Sequence, residues 1–164
     1  MQFLYPWIVF VHVLAAFGFV LAHGGSAFTA FRIRREREPQ RIAALLDLSL
    51  WATGFMYVSL LVLVAAGVAA GIVGDWFGEA WIWTAIGVLV AVAVAMFAYA
   101  VPYYERVRRA LGQRGRGPRP DPPREPVSAA ELAAVLDSRR PEGIAAIGGA
   151  GLALILWLMV FKPF

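Results

Sequence analysis

The chain has 164 residues, of which 60% are hydrophobic and 16% charged, and its formal net charge is +4 at pH 7. This composition leaves too little polar surface to cover a water-soluble globule, so it indicates a protein solvated by lipid. The chain contains no cysteine, which excludes disulfides, thiolate metal sites, iron–sulfur clusters and a cysteine nucleophile.

Four apolar runs dominate the sequence, and they comprise residues 3–31, 43–73, 80–101 and 144–161. Each run has at least the roughly 18 residues that a helix needs to cross the hydrocarbon core of a bilayer. We therefore predict an all-α protein, an integral membrane four-helix bundle in which residues 1–164 form a single domain.

The basic residues indicate on which side of the membrane each connection lies. All arginines fall within residues 32–41 and 106–140, and bacterial membrane proteins keep Lys and Arg on the cytoplasmic side. We therefore expect residues 74–79 and both the N- and C-termini to lie outside, in a multi-pass protein of the bacterial cell (inner) membrane. Because the arginines lie next to the apolar runs, we expect them to interact with the anionic inner leaflet of the lipid bilayer. We do not expect the protein to bind nucleic acid.

The longest polar segment is the cytoplasmic loop of residues 105–142, which is basic and rich in proline. Its first part is predicted to be an irregular linker. Ser128 and Glu131 have the spacing of a capping box, and Leu132, Val135 and Leu136 follow at helical intervals. The pattern predicts an amphipathic helix over residues 128–138 at the inner surface, either as an interfacial anchor or as a helix that docks a partner.

One face of the first apolar run carries both histidines of the chain. At about 100° per residue, His12 and His23 fall on one stripe, which they share mostly with small residues. Small residues let membrane helices approach and bulky apolar residues suit lipid, so this stripe is predicted to face the bundle interior. The residues predicted to face lipid are Phe3, Phe10, Leu14, Phe17, Leu21 and Phe28.

Small residues four apart also occur in the second and fourth runs, at Gly67 and Gly71 and at Ala145, Gly149 and Ala153. We interpret them as contacts between packed helices. Asp47 lies near the inner end of the second run, where it is expected to form an ion pair with Arg32 or Arg35.

Ionisable side chains inside a membrane are costly and usually functional, so the histidines have three candidate roles. An imidazole could hydrogen-bond to another helix, ligate a haem or a metal such as copper, or relay protons in transport. Eleven residues of helix separate His12 from His23 by roughly 16 Å, so the two cannot be the axial ligands of one haem. Matching membrane depths suggest Met159 as the partner of His12 and Met96 as the partner of His23, because haem accepts His and Met ligands.

No catalytic residue is predicted, and whether the protein is an enzyme is left open. The His-Glu-x-x-His pattern of zinc hydrolases is absent from the sequence. Ser26 follows His23, but no acid accompanies the pair to orient a histidine base.

The chain resembles an uncharacterised family of bacterial predicted integral membrane proteins. The resemblance is carried by Tyr57 and by segments 7–14 (WIVFVHVL), 23–26 (HGGS), 31–38 (FRIRRERE) and 102–104 (PYY). The resemblance covers about the first 110 residues. The first helix is also similar to those of copper-resistance D membrane proteins and of HemJ-type protoporphyrinogen oxidases, which bind haem. This similarity implies that His12 is a haem ligand, although a HemJ-type enzyme would carry a second ligand histidine in a later helix, where this chain has none.

The function that these observations favour is b-type haem binding, or a redox-associated role, through His12 and His23 with Met96 and Met159 as further ligands. Two alternatives stay open. The protein is a cofactor-free accessory or scaffold subunit, as a homo-oligomer or in a larger membrane complex, or it is a small proton-linked transporter in which the histidines take up and release protons.

Overall fold

The computed structural model describes residues 2–116, 122 and 125–164, and it folds them into helices joined by short connections. The helices are α1 (Tyr5–Arg35), α2 (Pro39–Val73), α3 (Ala80–Ala110), α4 (Ala129–Leu136) and α5 (Arg140–Phe161), with 3₁₀ turns at Gln2–Leu4 and Trp76–Gly78. Four segments are long and apolar enough to cross a membrane: α1, α2, α3 and Ala129–Phe161, which contains α4 and α5. The predicted all-α class with four spans is confirmed. Part of the predicted irregular linker, residues 117–121 and 123–124, lies outside the described residues.

Prolines mark where three of the long helices begin. Pro6, Pro39 and Pro141 each occupy one of the first two helical positions, where the missing N–H costs no hydrogen bond. At the inner end the helices continue beyond the apolar runs, so that α1 reaches Arg35 and α3 reaches Ala110. These extensions place six arginines on regular helix, which are Arg32, Arg34, Arg35, Arg106, Arg108 and Arg109.

The helices pack as two antiparallel pairs, α1 with α2 and α3 with α5, and the pairs meet mainly where α1 contacts α5. The strongly exposed residues of α1 include Phe10, Leu14, Phe17, Leu21 and Phe28, together with Trp7, and Phe3 just before α1 is exposed as well. Both histidines lie on the opposite, protein-facing side of α1. The predicted lipid-facing and interior faces of this helix are therefore confirmed.

The largest cluster of buried side chains lies at the inner end of the bundle. Its fully buried members include Ile33, Ile42, Leu46, Tyr103, Val107 and Leu136. Helix α4 contributes Leu132 and Leu136 to this cluster, and it begins at the capping box formed by Ser128 and Glu131. The apolar face of α4 therefore packs against the bundle, and not against lipid or a docked partner as the sequence suggested. The reason is that the inner extensions of α1 and α3 supply apolar surface next to α4.

Asp47 does not pair with Arg32 or Arg35, so that expectation was wrong. Its Oδ1 lies 3.8 Å from Arg108 Nη1 and 3.9 Å from Arg116 Nη1. Arg108 is buried at the end of α3, where the inner ends of α2 and α3 meet. The ion pair therefore links these two helices, and not α1 with α2.

At the outer end, a cation–π contact connects the last residues of the chain to the turn between α2 and α3. Lys162 Nζ lies 4.0 Å from the ring centroid of Trp76 and 5.5 Å from that of Trp81. Trp76 Nε1–H in turn donates a hydrogen bond to Tyr5 Oη at 3.0 Å. The start of α1, the turn and the end of α5 are thereby joined at one level.

Hydroxyl groups connect three helices in the inner half of the bundle. Ser26 Oγ of α1 lies 3.2 Å from Ser49 Oγ of α2 and 3.3 Å from Tyr104 Oη of α3. Tyr104 also donates to the Ser26 carbonyl oxygen at 3.1 Å. Its neighbour Tyr103 is only 1% exposed, and its hydroxyl is the one buried side-chain polar atom without a hydrogen-bond partner among the described residues.

The adjacent tyrosines should respond in opposite ways to the loss of the hydroxyl. Tyr104→Phe removes a satisfied interhelical hydrogen bond and should destabilise the protein by about 0.5–1.5 kcal/mol. Tyr103→Phe removes an unsatisfied buried hydroxyl, so it should be neutral or stabilising by up to about 2 kcal/mol. Thermal unfolding in detergent, followed by tryptophan fluorescence, compares the two variants. Equal destabilisation by both would contradict the assignment of Tyr103.

The capping box makes the stability of α4 depend on pH. Hydrogen bonds from the Ser128 hydroxyl and backbone N–H hold the pKa of the Glu131 carboxyl below its usual range. A lowered pKa in the folded state means that the stabilisation is complete above the usual pKa of a glutamate and is lost as the pH falls through the lowered value.

We therefore expect amide hydrogen exchange of Leu132, corrected for its intrinsic rate, to quicken below about pH 4, where glutamate carboxyls become protonated. Glu131→Gln preserves the shape of the side chain and removes the titration, so its corrected exchange should be independent of pH. Unchanged protection of the wild-type protein under acid conditions would contradict a role for the ionised carboxylate.

Candidate functional site

His12 projects from α1 onto α2 and is fixed there by a hydrogen bond. Its Nδ1 lies 2.9 Å from the Leu63 carbonyl oxygen, and because a carbonyl only accepts, Nδ1 carries the proton. A Cβ added at Gly67 would lie 2.9 Å from His12 Cε1 and 3.0 Å from Nδ1. The missing side chain of Gly67 therefore lets the imidazole reach the backbone of α2. In this tautomer Nε2 presents an unprotonated lone pair, for which the described residues provide no donor.

His23 projects from the same stripe but contacts α5 instead. It is 9% exposed and stacks on Phe19, with ring centroids 6.4 Å apart and an interplanar angle of 5°. A Cβ added at Gly148 would lie 2.0 Å from His23 Nε2. The imidazole therefore fills a notch in α5, and a metal ion on Nε2 would require α5 to move away.

The structure does not bring the four predicted ligands together. His12 faces α2 in the outer half of the bundle, and His23 faces α5 in the inner half. Met96 packs against the buried cluster at the inner end, and Met159 is partly buried near the end of α5. The proposed pairs of His12 with Met159 and of His23 with Met96 stay predictions. Over the described ranges, no group of three His, Asp or Glu side chains is arranged to hold a metal ion.

Gly67 and Gly71 of α2 accommodate side chains and not the backbone of a neighbouring helix. Gly67 faces His12, and Gly71 faces Phe77 of the following turn. On α5 the sequence had indicated Ala145, Gly149 and Ala153, yet Gly149 and Ala153 are exposed. The packed face of α5 instead carries Ile144, Gly148, Gly151 and Leu158. These four share one side of a helix, and the large residues flanking two glycines were the signal that the sequence reasoning missed.

The sequence matches, over residues 6–163, the family described as predicted integral membrane protein (DUF2269). The chain belongs to this family. The match begins at the second residue of α1 and continues past the end of α5, so it includes all four candidate spans of this DUF2269 protein except Tyr5. The comparisons with curated proteins and with solved structures gave no match.

The close contact between His23 and Gly148 predicts that a side chain at position 148 destabilises the protein. Gly148→Ala places a methyl group on the imidazole and should destabilise the protein by about 1–3 kcal/mol. The neighbouring Gly149→Ala points into open space, so it should be neutral or stabilising by up to about 1 kcal/mol because alanine favours a helix more than glycine does. Thermal unfolding in detergent measures both effects.

The double variant His23→Ala with Gly148→Ala distinguishes a clash with the imidazole from a general intolerance of alanine. Removing the ring makes room for the methyl group, so the double variant should be more stable than the sum of the single effects predicts, by about 1 kcal/mol or more. Additive effects would mean that His23 does not occupy the notch.

Proposed function

We propose that this membrane protein binds a b-type haem through Nε2 of His12. One observation carries the proposal: His12 Nδ1–H donates to the Leu63 carbonyl oxygen of α2. Histidines that ligate metals almost always donate their second N–H to a carboxylate, a carbonyl or water, which fixes the tautomer and makes the ligating nitrogen more basic. His12 has this arrangement before any ligand is added.

The membrane environment adds a second argument. His12 is partly buried, and no described protein group donates a hydrogen bond to its Nε2. In a lipid-spanning segment water is not available to such an acceptor, so the lone pair is unsatisfied at a cost. An iron centre would satisfy it, and a haem bound there would supply one-electron redox chemistry.

The residues around His12 restrict what this chain could contribute to such a site. Leu63 and Gly67 orient the imidazole from α2, and neither can itself ligate iron. Met159 is the methionine expected at the same membrane depth and is the candidate second ligand. His23 is excluded as the partner of His12 by the helical separation, and its Nε2 is covered by Gly148.

A second candidate, a cofactor-free accessory subunit, is favoured by a different observation. His23 inserts into the Gly148 notch where α1 meets α5, the main contact between the two helix pairs. An imidazole used in this way holds the bundle together without binding anything. In the accessory role, His12 would likewise serve only as a hydrogen-bonding contact between α1 and α2.

The visible absorption spectrum of the detergent-purified protein, expressed with adequate haem and recorded before and after dithionite, tests the haem proposal. We expect an intense Soret band that shifts on reduction. His12→Ala should abolish it, whereas His23→Ala should retain it with lower thermal stability. Met159→Leu should alter the reduced spectrum if Met159 is the second ligand and leave it unchanged if the iron is five-coordinate.

Gly67→Ala is the matched control because it keeps His12 and displaces its ring from Leu63. It should weaken haem retention or shift the Soret band, even though the ligand is still present. A wild-type protein with no visible absorption would overturn the haem proposal. In that event, an effect of His12→Ala confined to stability or partner association would support the accessory role.

A further inference from the structure

The inner end of α1 borders a cleft that the haem proposal does not use. The cleft has a volume of about 540 Å³, and it is lined by Phe31, Arg34, Arg35, Arg37, Asp137 and Glu142. It lies between the end of α1 and the segment that joins α4 to α5. One phenylalanine and three arginines, from the last turns of α1 and the residues just after it, thus meet two carboxylates from the second half of the chain.

Two of the three arginines are already paired with these carboxylates. Arg34 forms an ion pair with Glu142, and Arg37 Nη2 lies 3.0 Å from Asp137 Oδ1. The Arg35 side chain, by contrast, forms no ion pair or hydrogen bond with another described residue, and it is exposed at the cleft. Three guanidinium groups against two carboxylates leave the cleft with one net positive charge, carried by Arg35.

The position of the cleft matches the headgroup layer of the inner leaflet. Phe31 is the last residue of the first apolar run, and the arginines begin directly after it. The cleft therefore combines an apolar wall at the edge of the hydrocarbon with cationic groups that lie one helical turn further towards the cytoplasm. Basic pockets between helices on this side of a membrane bind phosphate-bearing headgroups.

We propose that this cleft binds a phosphodiester monoanion, such as the headgroup of an anionic phospholipid. Guanidinium groups bind phosphate oxygens through two parallel N–H donors, and Arg35 has its donors available. A single negative charge balances the net charge of the cleft. Arg34 and Arg37 keep their carboxylate partners and orient the wall of the site. The proposal rests on residues at the inner end of α1 and is independent of haem binding at His12.

Native mass spectrometry of the delipidated full-length protein tests the site directly. The protein is placed in mixed micelles that contain equal amounts of phosphatidylglycerol and phosphatidylcholine, and the retained lipids are counted. We expect one phosphatidylglycerol to be retained in preference to phosphatidylcholine, whose choline cation is repelled by the net positive charge. Arg35→Gln should weaken that retention by about tenfold or more, and Arg35→Lys, which keeps the charge but loses the paired donors, should fall between.

Arg32→Gln is the matched control, because Arg32 is exposed on the same helix but does not line the cleft. It should retain phosphatidylglycerol as the wild type does, and all variants should unfold at the same temperature. Equal losses for Arg32→Gln and Arg35→Gln would reduce the effect to general surface charge and overturn the proposal, as would undiminished retention by Arg35→Gln.

A soluble competitor identifies the source of the phosphodiester. Glycerophosphoglycerol carries the same headgroup without acyl chains. If it displaces the retained lipid, the site accepts a free phosphodiester from the cytoplasm. If it does not, the acyl chains beside Phe31 are required and the ligand is a lipid. Both results support a phosphodiester site, and phosphatidylcholine retention equal to that of phosphatidylglycerol would contradict it.

Discussion

The helices of this protein are held together by close contacts that its glycines permit. An apolar side chain is as favourably surrounded by lipid tails as by a neighbouring helix. Helix association inside a bilayer therefore depends on close packing and on interhelical hydrogen bonds. Helix α1 makes both kinds of contact, with His12 against Gly67 of α2 and His23 against Gly148 of α5. Gly18 supplies a third, since a Cβ there would lie 2.9 Å from Ser59 Oγ of α2. The most polar face of α1 is thus the face that organises the bundle.

The inner end is stabilised differently because the helices continue there beyond the apolar runs of the sequence. There the apolar cluster around Ile33, Ile42 and Val107 is removed from water, and the hydrophobic effect contributes as in a soluble domain. The buried Arg108 is compatible with this core because its Nη2–H donates to the Leu46 carbonyl oxygen at 3.0 Å. Helix α4 covers the cluster with Leu132 and Leu136. Just before α4, the Val127 N–H donates a hydrogen bond to the Ala110 carbonyl oxygen at 3.0 Å.

Local patterns in the sequence were sufficient to predict the spans, the two faces of α1 and the helix start at Ser128. Each of these depends on residues within a few turns of one another. The partner of Asp47 and the packed face of α5 depend on which helices become neighbours, which no single segment encodes. Asp47 therefore pairs with Arg108, although Arg32 and Arg35 are closer in sequence, and α5 packs through Gly148 and Gly151 instead of Gly149.

The same limit applies to the histidines. Their common stripe was evident from the sequence, but periodicity could not distinguish the two contacts that follow from it. His12 meets a carbonyl oxygen and keeps one nitrogen available, whereas His23 meets a glycine and has its Nε2 covered. Two residues that look equivalent on a helical projection therefore differ in structure, because among the described residues no group hydrogen-bonds to Nε2 of His12, whereas Gly148 covers Nε2 of His23. The tautomer of His12 depends on its contact with α2. The Leu63 carbonyl oxygen can only accept a hydrogen bond, so Nδ1 carries the proton and Nε2 keeps its lone pair.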